Sequence, residues 1–208
     1  MTNQPIVIVD YGMGNLNSVA KKVSSLDANA IISSKSEDIL NAQKIILPGV
    51  GHFEKAMENI KSLNIFEALN RAVLENKTPI LGICLGMQLM CKKSEEGNLD
   101  GFGWIDAEVL RFNIKDKLKH KVPHTGWNQI SINKTDSLLM KDISDLSEFY
   151  FVHSYYVKAI DESVILNQTE YELEFTSAIE KGNVFGTQYH PEKSHDVGAL
   201  LFKNFINL

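Results

Sequence analysis

The stretch Pro79-Ile80-Leu81-Gly82-Ile83-Cys84-Leu85-Gly86-Met87-Gln88 constrains this chain more than any other. Ile80, Leu81 and Ile83 suit a strand, whereas Leu85, Met87, Leu89 and Met90 suit a helix, so the pattern predicts strand, sharp turn, helix with Cys84 on the turn. Gly-x-Cys-x-Gly has the form of a nucleophile elbow. The reactive residue of such an elbow sits at a strained backbone position, and its neighbours two before and two after must be tiny. Gly82 and Gly86 fill those places. The turn lifts the sulfur above the carboxyl end of a sheet and aims it at a helix N-terminus, where unpaired N–H groups favour a thiolate. The alternative is a cysteine packed under a sheet, the commoner fate of cysteine, but that role does not need both glycines.

A chain of 208 residues is read as one domain over residues 1–208, long enough to bury a full sheet between helix layers. A net charge of −5 argues against nucleic acid or an anionic membrane as partner. Met1-Thr2-Asn3-Gln4-Pro5 lacks the positive head of a signal peptide, and no apolar run has the length of a membrane span, so a cytoplasmic location is expected. The only two cysteines, Cys84 and Cys91, are too few for a disulfide framework and are not spaced as a zinc site. Cys91 is read as an inert helix residue.

Ile6-Val7-Ile8-Val9 is a continuous apolar run, as in a strand covered on both faces of a parallel sheet. Tyr11-Gly12-Met13-Gly14-Asn15 follows, then a helical stripe of Val19, Val23 and Leu26. A dinucleotide fingerprint is rejected. Its third glycine is missing, and Ser34 and Lys35 stand where a ribose-binding acid would be needed. Lys44–Leu47 is the next strand, closed by Pro48-Gly49-Val50-Gly51, a loop whose N–H groups could face an oxyanion or simply make a turn. Helices over Phe53–Ser62 and Ile65–Glu75 return the chain to the Cys84 strand, so strand and helix alternate and an α/β layer architecture is expected.

Beyond Lys92 a polar, glycine-rich loop precedes short alternating segments at Ala107–Phe112, Gln129–Asn133 and Phe149–Val152, read as antiparallel strands beside the main sheet. Val122–Asn128, with His124, reads as a loop, and Tyr150–Tyr156, with His153, as another such group. Both histidines lack an acidic neighbour and read as packing or hydrogen-bonding residues. Val184–Tyr189 is the last strand and runs into His190-Pro191-Glu192. Proline keeps the residue before it extended, and in extended chain Glu192 would lie on the same face as His190 and orient its imidazole. His195 has no comparable partner. A closing helix is expected over Ala199–Ile206.

A cysteine on an elbow with a histidine and a glutamate on another strand end defines an acyl-transfer site without metal or cofactor. Cys84 would attack a carbonyl carbon, His190 would move protons, and Glu192 would orient His190. N–H groups at Leu85 and in the Gly49–Gly51 loop would hold the oxyanion, each worth on the order of 10²–10³ in rate. Spacing alone does not choose between peptidase, esterase and amidase.

The set Gly82-Ile83-Cys84-Leu85-Gly86-Met87-Gln88 with His190-Pro191-Glu192 resembles the class I (triad) glutamine amidotransferases. Further stretches resemble one branch of that family, the glutaminase subunits of imidazole glycerol phosphate synthases: Val9–Asn15, Leu47–Gly51, Val122–His124 with Gly126–Asn128, Tyr150–Tyr155, and Pro191–Ser194. The resemblance implies a flavodoxin-like, mostly parallel central sheet flanked by helices, with an additional small antiparallel sheet. It implies hydrolysis of L-glutamine through a thioester on Cys84. Ammonia would pass to a (β/α)₈-barrel cyclase subunit, which makes imidazole glycerol phosphate and AICAR in histidine biosynthesis. By position, Gln88 and Glu96 would hold the amino-acid end of glutamine, with backbone from Gly51 and from His153, Ser154 and Tyr155. Asn15, Trp127 and Lys193 would face the partner. Val50 would need its peptide turned before its N–H served the oxyanion, so activity would rise on partner binding. Thr125, His52 and Cys91-Lys92-Lys93 depart from the branch pattern. They leave open a paralogue that feeds a barrel partner in amino- or amidino-sugar synthesis for surface polysaccharides. A stand-alone triad peptidase or γ-glutamyl hydrolase and a catalytically dead binding module are the remaining readings.

Overall fold

The computed structural model describes residues 4–116 and 118–208. Of Met1-Thr2-Asn3-Gln4-Pro5, on which the leader reading rests, the first three residues lie outside them. In the first half, β1 (Ile6–Val9), β2 (Ala30–Ser33), β3 (Lys44–Gly49) and β4 (Ile80–Cys84) alternate with α1 (Leu16–Ser24), α2 (Ser36–Leu40), α3 (Phe53–Ser62) and α4 (Phe66–Asn70). A π turn, Arg71–Glu75, continues α4, and α5 (Leu85–Leu89) follows the elbow. Then come β5 (Cys91–Ser94), β6 (Leu99–Asp100), β7 (Ile105–Arg111), β8 (His124–Gln129), β9 (Ser131–Ile132) and β10 (Glu148–His153). The chain closes with β11 (Tyr155–Ala159), β12 (Ile165–Tyr171), β13 (Leu173–Lys181), β14 (Val184–Thr187), a 3₁₀ turn at Pro191–Lys193, and α6 (His195–Ile206).

The main sheet runs in the order β2-β1-β3-β4-β14-β13-β11-β7-β5-β6. From β2 to β14 every pairing is parallel. Inside the edge strand β2, strands β1, β3, β4 and β14 are covered on both faces, which is why β1 is buried at all four positions. Alternation along β1 sends Val7 and Val9 into one apolar layer with Leu47 and Leu69, and Ile6 and Ile8 into the other with Leu81 and Phe202. Each fully buried side chain of this size contributes roughly 1.5–3 kcal/mol relative to exposure. No helix among the described residues is long and apolar enough to cross a membrane.

The second half differs from the sequence expectation in several ways. Most of its antiparallel strands extend the main sheet rather than lie beside it; only β8 and β10 form a separate two-stranded ribbon. The segment read as the loop Val122–Asn128 is largely β8, and Tyr150–Tyr156 spans β10 and β11. The helix after the elbow ends at Leu89, and Cys91 begins β5, where it pairs in register with Ile105 and is fully buried. Leu85, Met87, Leu89 and Met90 are buried all round, so their apolar pattern does not distinguish a long helix from a short one entering a strand. The β12–β13 hairpin has no counterpart in the sequence reading. Its inward positions include Asn167, Thr169 and Ser177, which satisfy one another: Thr169 Oγ1 donates to Ser177 Oγ and Ser177 Oγ to Asn167 Oδ1, each at 2.8 Å. Buried polar residues with internal partners hide the apolar alternation that marks a strand. Helix α6 starts four residues before the expected Ala199, at His195.

Candidate functional site

Strand β4 lies between β3 and β14, with Gly49 opposite Cys84 on one side and Thr187 opposite Ile83 on the other. That register brings the Gly49–Gly51 loop, the elbow and the Gln188–Glu192 segment to one end of the sheet. Cys84 has φ 54° and ψ −107°, a strained conformation for a residue with a side chain. The two glycines follow from close approach. A Cβ on Gly82 would come within 2.7 Å of the Gly86 carbonyl carbon, and one on Gly86 within 1.7 Å of the Leu47 carbonyl oxygen.

His190 is extended, as the following proline requires, and its N–H donates to the Tyr150 carbonyl at 2.9 Å. Glu192 reaches the ring from the 3₁₀ turn rather than from extended chain, which corrects the expected geometry while keeping the pair together. His190 Nδ1 lies 2.8 Å from Glu192 Oε1, and both side chains are 1% exposed. With Nδ1–H donated to the carboxylate, Nε2 is left buried without a hydrogen-bond partner. Burial opposes a charged ring, but the negative Cys84 sulfur and Glu192 outweigh it and raise the His190 pKa to about 10. The Cys84 sulfur and the Glu192 carboxylate therefore favour the charged form of His190. Ser194 Oγ donates to the His190 carbonyl at 2.7 Å and accepts from Tyr150 N–H at 3.0 Å, fastening the loop to β10.

The sulfur opens on a cavity of about 250 Å³. Val50, Gly51, Leu85, Gln88 and Glu96 line it together with His153, Ser154 and Tyr155. Gly49 lies behind this wall, packed under Tyr11 and Leu85. The Tyr11 hydroxyl donates to the Pro48 carbonyl at 2.7 Å and holds the loop at its base; burial first, then the Cys84 charge, pushes its pKa far up. Glu96 is held by the Phe53 N–H at 2.8 Å, with His52 Nε2 at 3.9 Å from its other oxygen. Clefts of about 780 and 600 Å³ beside residues 111–122 are larger, but neither contains Cys84 or His190. The remaining expected residues lie outside the cavity. Asn15 is exposed, Trp127 is 45% exposed and stacks on His195 at 5.0 Å, and Lys193 Nζ sits 5.5 Å over the Tyr150 ring. The sequence reading missed Gln188, whose Nε2 is 3.5 Å from Cys84 Sγ. A polar residue directly after an apolar strand run buried on both faces was the available signal.

His153 and His124 form a neutral pair behind the wall. His153 Nδ1 donates to the Tyr155 carbonyl at 2.8 Å, so its Nε2 accepts from His124 Nδ1 at 3.0 Å, and His124 Nε2 accepts from Asn128 at 3.3 Å. Burial is the main cause that lowers both pKa values, with a neighbouring histidine adding to each: His153 falls to about 3 and His124 to about 4. The folded values lie below the unfolded value near 6.5, so the stability tied to the neutral pair is full above that pH and is lost as pH falls toward 4. Thermal unfolding followed from pH 8 to 5.5 is expected to show a falling midpoint below about 6.5, and His124→Asn is expected to flatten that fall. Equal slopes in both proteins would contradict the reading.

The model of the family described as glutamine amidotransferase class-I matches residues 7–208. The imidazole glycerol phosphate synthase subunit HisH 2 of Methanococcus maripaludis is 48% identical over 97% of this chain and 98% of its own. The HisH 2 subunit of Pseudomonas aeruginosa is 44% identical over 98% and 99%, and the HisH subunit of Methanocaldococcus jannaschii 46% over the same shares. A solved glutamine amidotransferase superposes with a TM-score of 0.75 over 97% of both chains at 17% identity, a likeness of fold. With an elbow cysteine, a buried histidine–glutamate pair and full-length likeness in agreement, the chain belongs to the class-I glutamine amidotransferase family, in the branch of the imidazole glycerol phosphate synthase HisH subunits.

Proposed function

We propose that this chain hydrolyses L-glutamine to glutamate and ammonia as the glutaminase subunit of an imidazole glycerol phosphate synthase. The observation that carries the reading is the His190–Glu192 bond at 2.8 Å, which leaves an unpartnered Nε2 on a ring that feels the charge of the elbow sulfur, the sulfur itself lining a cavity of about 250 Å³. Cys84 thiolate adds to the side-chain carbonyl of glutamine, and the oxyanion is held by N–H groups of Leu85 and the Val50 loop. His190 gives its proton to the departing amine, releasing ammonia and leaving the γ-glutamyl thioester. It then takes a proton from water, which attacks the thioester carbonyl and frees glutamate and Cys84. Gln88, Glu96 and Gly51 with the His153–Tyr155 strand end bind the amino-acid end of the substrate. Ammonia passes to a (β/α)₈-barrel cyclase subunit docked over Asn15, Trp127 and Lys193. Val50, 46% exposed at the cavity mouth, supplies its N–H once that partner is bound.

The test is ammonia release by the chain alone and with a co-expressed barrel cyclase. Activity is expected to rise by on the order of 10²-fold with partner, the value of one oxyanion donor. Equal activity with and without it would remove the partner-gated oxyanion. A second reading draws on Thr125, exposed on β8 two residues before Trp127, and on the numbered HisH 2 relatives. In it, the barrel partner consumes ammonia in sugar rather than imidazole chemistry, and the acceptor that depletes the ammonia distinguishes the two.

A further inference from the structure

A hydrogen-bond chain behind the nucleophile plays no part in the triad. Gln188, the first residue beyond β14, is fully buried and does not line the cavity. Its Nε2 lies 3.5 Å from Cys84 Sγ, and its Oε1 accepts from Gln88 Nε2 at 3.0 Å. Gln88 Nε2 also donates to the Tyr155 carbonyl at 3.1 Å, and Gln188 N–H donates to the Ser177 carbonyl at 2.8 Å.

Chemistry sets the direction of this chain. A backbone carbonyl can only accept, so Gln88 must turn its NH₂ toward Tyr155. The second hydrogen of that NH₂ meets Gln188, which must answer with its carbonyl oxygen. The NH₂ of Gln188 is then left facing the sulfur. Cys84 consequently has two unlike neighbours: the Val152 carbonyl at 3.9 Å, which can take a thiol hydrogen, and the Gln188 N–H, which favours the thiolate.

We propose that Gln188 is a positioning residue, a buried N–H donor that holds Cys84 as a thiolate beside His190, with its orientation imposed by Gln88 and Tyr155. The proposal rests on the glutaminase reading for its catalytic consequence. Gln88 is also a wall of the cavity, so the substrate and the donor behind the sulfur share one side chain.

The test uses the full chain with Gln188→Leu and Gln188→Glu. Leucine removes the donor at similar volume. Glutamate keeps the size and the bond from Gln88 but sets a negative oxygen against the sulfur. Two quantities are followed: the pH profile of Cys84 alkylation by iodoacetamide, read by mass spectrometry of the Cys84 peptide, and kcat and KM for glutamine. Both variants are expected to be alkylated about tenfold more slowly at neutral pH, with the profile displaced to higher pH, as for loss of one charge-assisted hydrogen bond. The kcat is expected to fall by a similar factor, with KM within about twofold. An alkylation profile unchanged from that of the unaltered chain would overturn the proposal, as would a rise in KM alone. If the leucine variant fails to fold, the glutamate variant decides on the same outcomes. Alkylation needs no turnover of glutamine, so an unaltered chain without glutaminase activity even when co-expressed with its barrel cyclase would sink the glutaminase reading while the alkylation profile still judged Gln188.

Discussion

Cys84→Ala is expected to lower ammonia release from glutamine by at least about 10⁴-fold while the chain stays folded, because no other nucleophile lining the cavity stands on the elbow next to His190. The substitution removes one sulfur from a residue 6% exposed at a cavity wall, so little packing is lost. Backbone strain persists in that variant, since alanine also carries a Cβ at φ 54°. Cys84→Gly relieves it. The relief is of order 1–3 kcal/mol, against about 0.5–1 kcal/mol for the greater freedom of glycine in the unfolded chain. The glycine variant is therefore expected to melt higher than the alanine variant and to be equally inactive. Glutamate and ammonia assays with thermal unfolding check both halves. Residual glutaminase activity near that of the unaltered chain would end the mechanistic account; an alanine variant that melts higher than the glycine one would end the strain account.

Gly86→Ala is expected to remove the fold or to destabilise it by more than about 3 kcal/mol, beyond the usual range for overpacking. The obstacle is backbone: the Cβ would stand 1.7 Å from the Leu47 carbonyl oxygen, on the β3 strand that pairs with β4. Neither β3 nor the start of α5, which follows Cys84 directly, can withdraw without disturbing the ladder that carries Gly49 opposite Cys84. Gly182→Ala is the matched control. Gly182 has φ 59° with nothing within 4 Å of its Cβ, so only the left-handed backbone penalty of about 1 kcal/mol is expected. Denaturant unfolding of the two variants separates close approach from conformational strain, and similar losses in both would refute the close-approach argument.

The elbow was legible because its evidence is local. Two glycines flanking a cysteine between a strand run and a helical run describe a turn without reference to the rest of the chain. The His190–Glu192 pair was legible as a contact, since two residues apart they cannot be far from each other, but its geometry was not. The 3₁₀ turn depends on Lys193 and Ser194 bonding back to His190 and Pro191. The β12–β13 hairpin and Gln188 escaped for one shared reason. Both place polar groups in the interior, and a buried polar residue shows its purpose only when its partner is known.

The residues alone were enough for the parallel first half, the Cys84 elbow, the pairing of His190 with Glu192, and the family. Each of these is written in neighbours along the chain and in apolar runs that have only one low-energy placement. The approach of Cys84 to His190, the cavity between Gln88, Glu96 and Tyr155, and the donor behind the sulfur needed the packed chain. They join segments far apart in sequence, and their meeting depends on β4 settling between β3 and β14 in one register, which no single segment specifies.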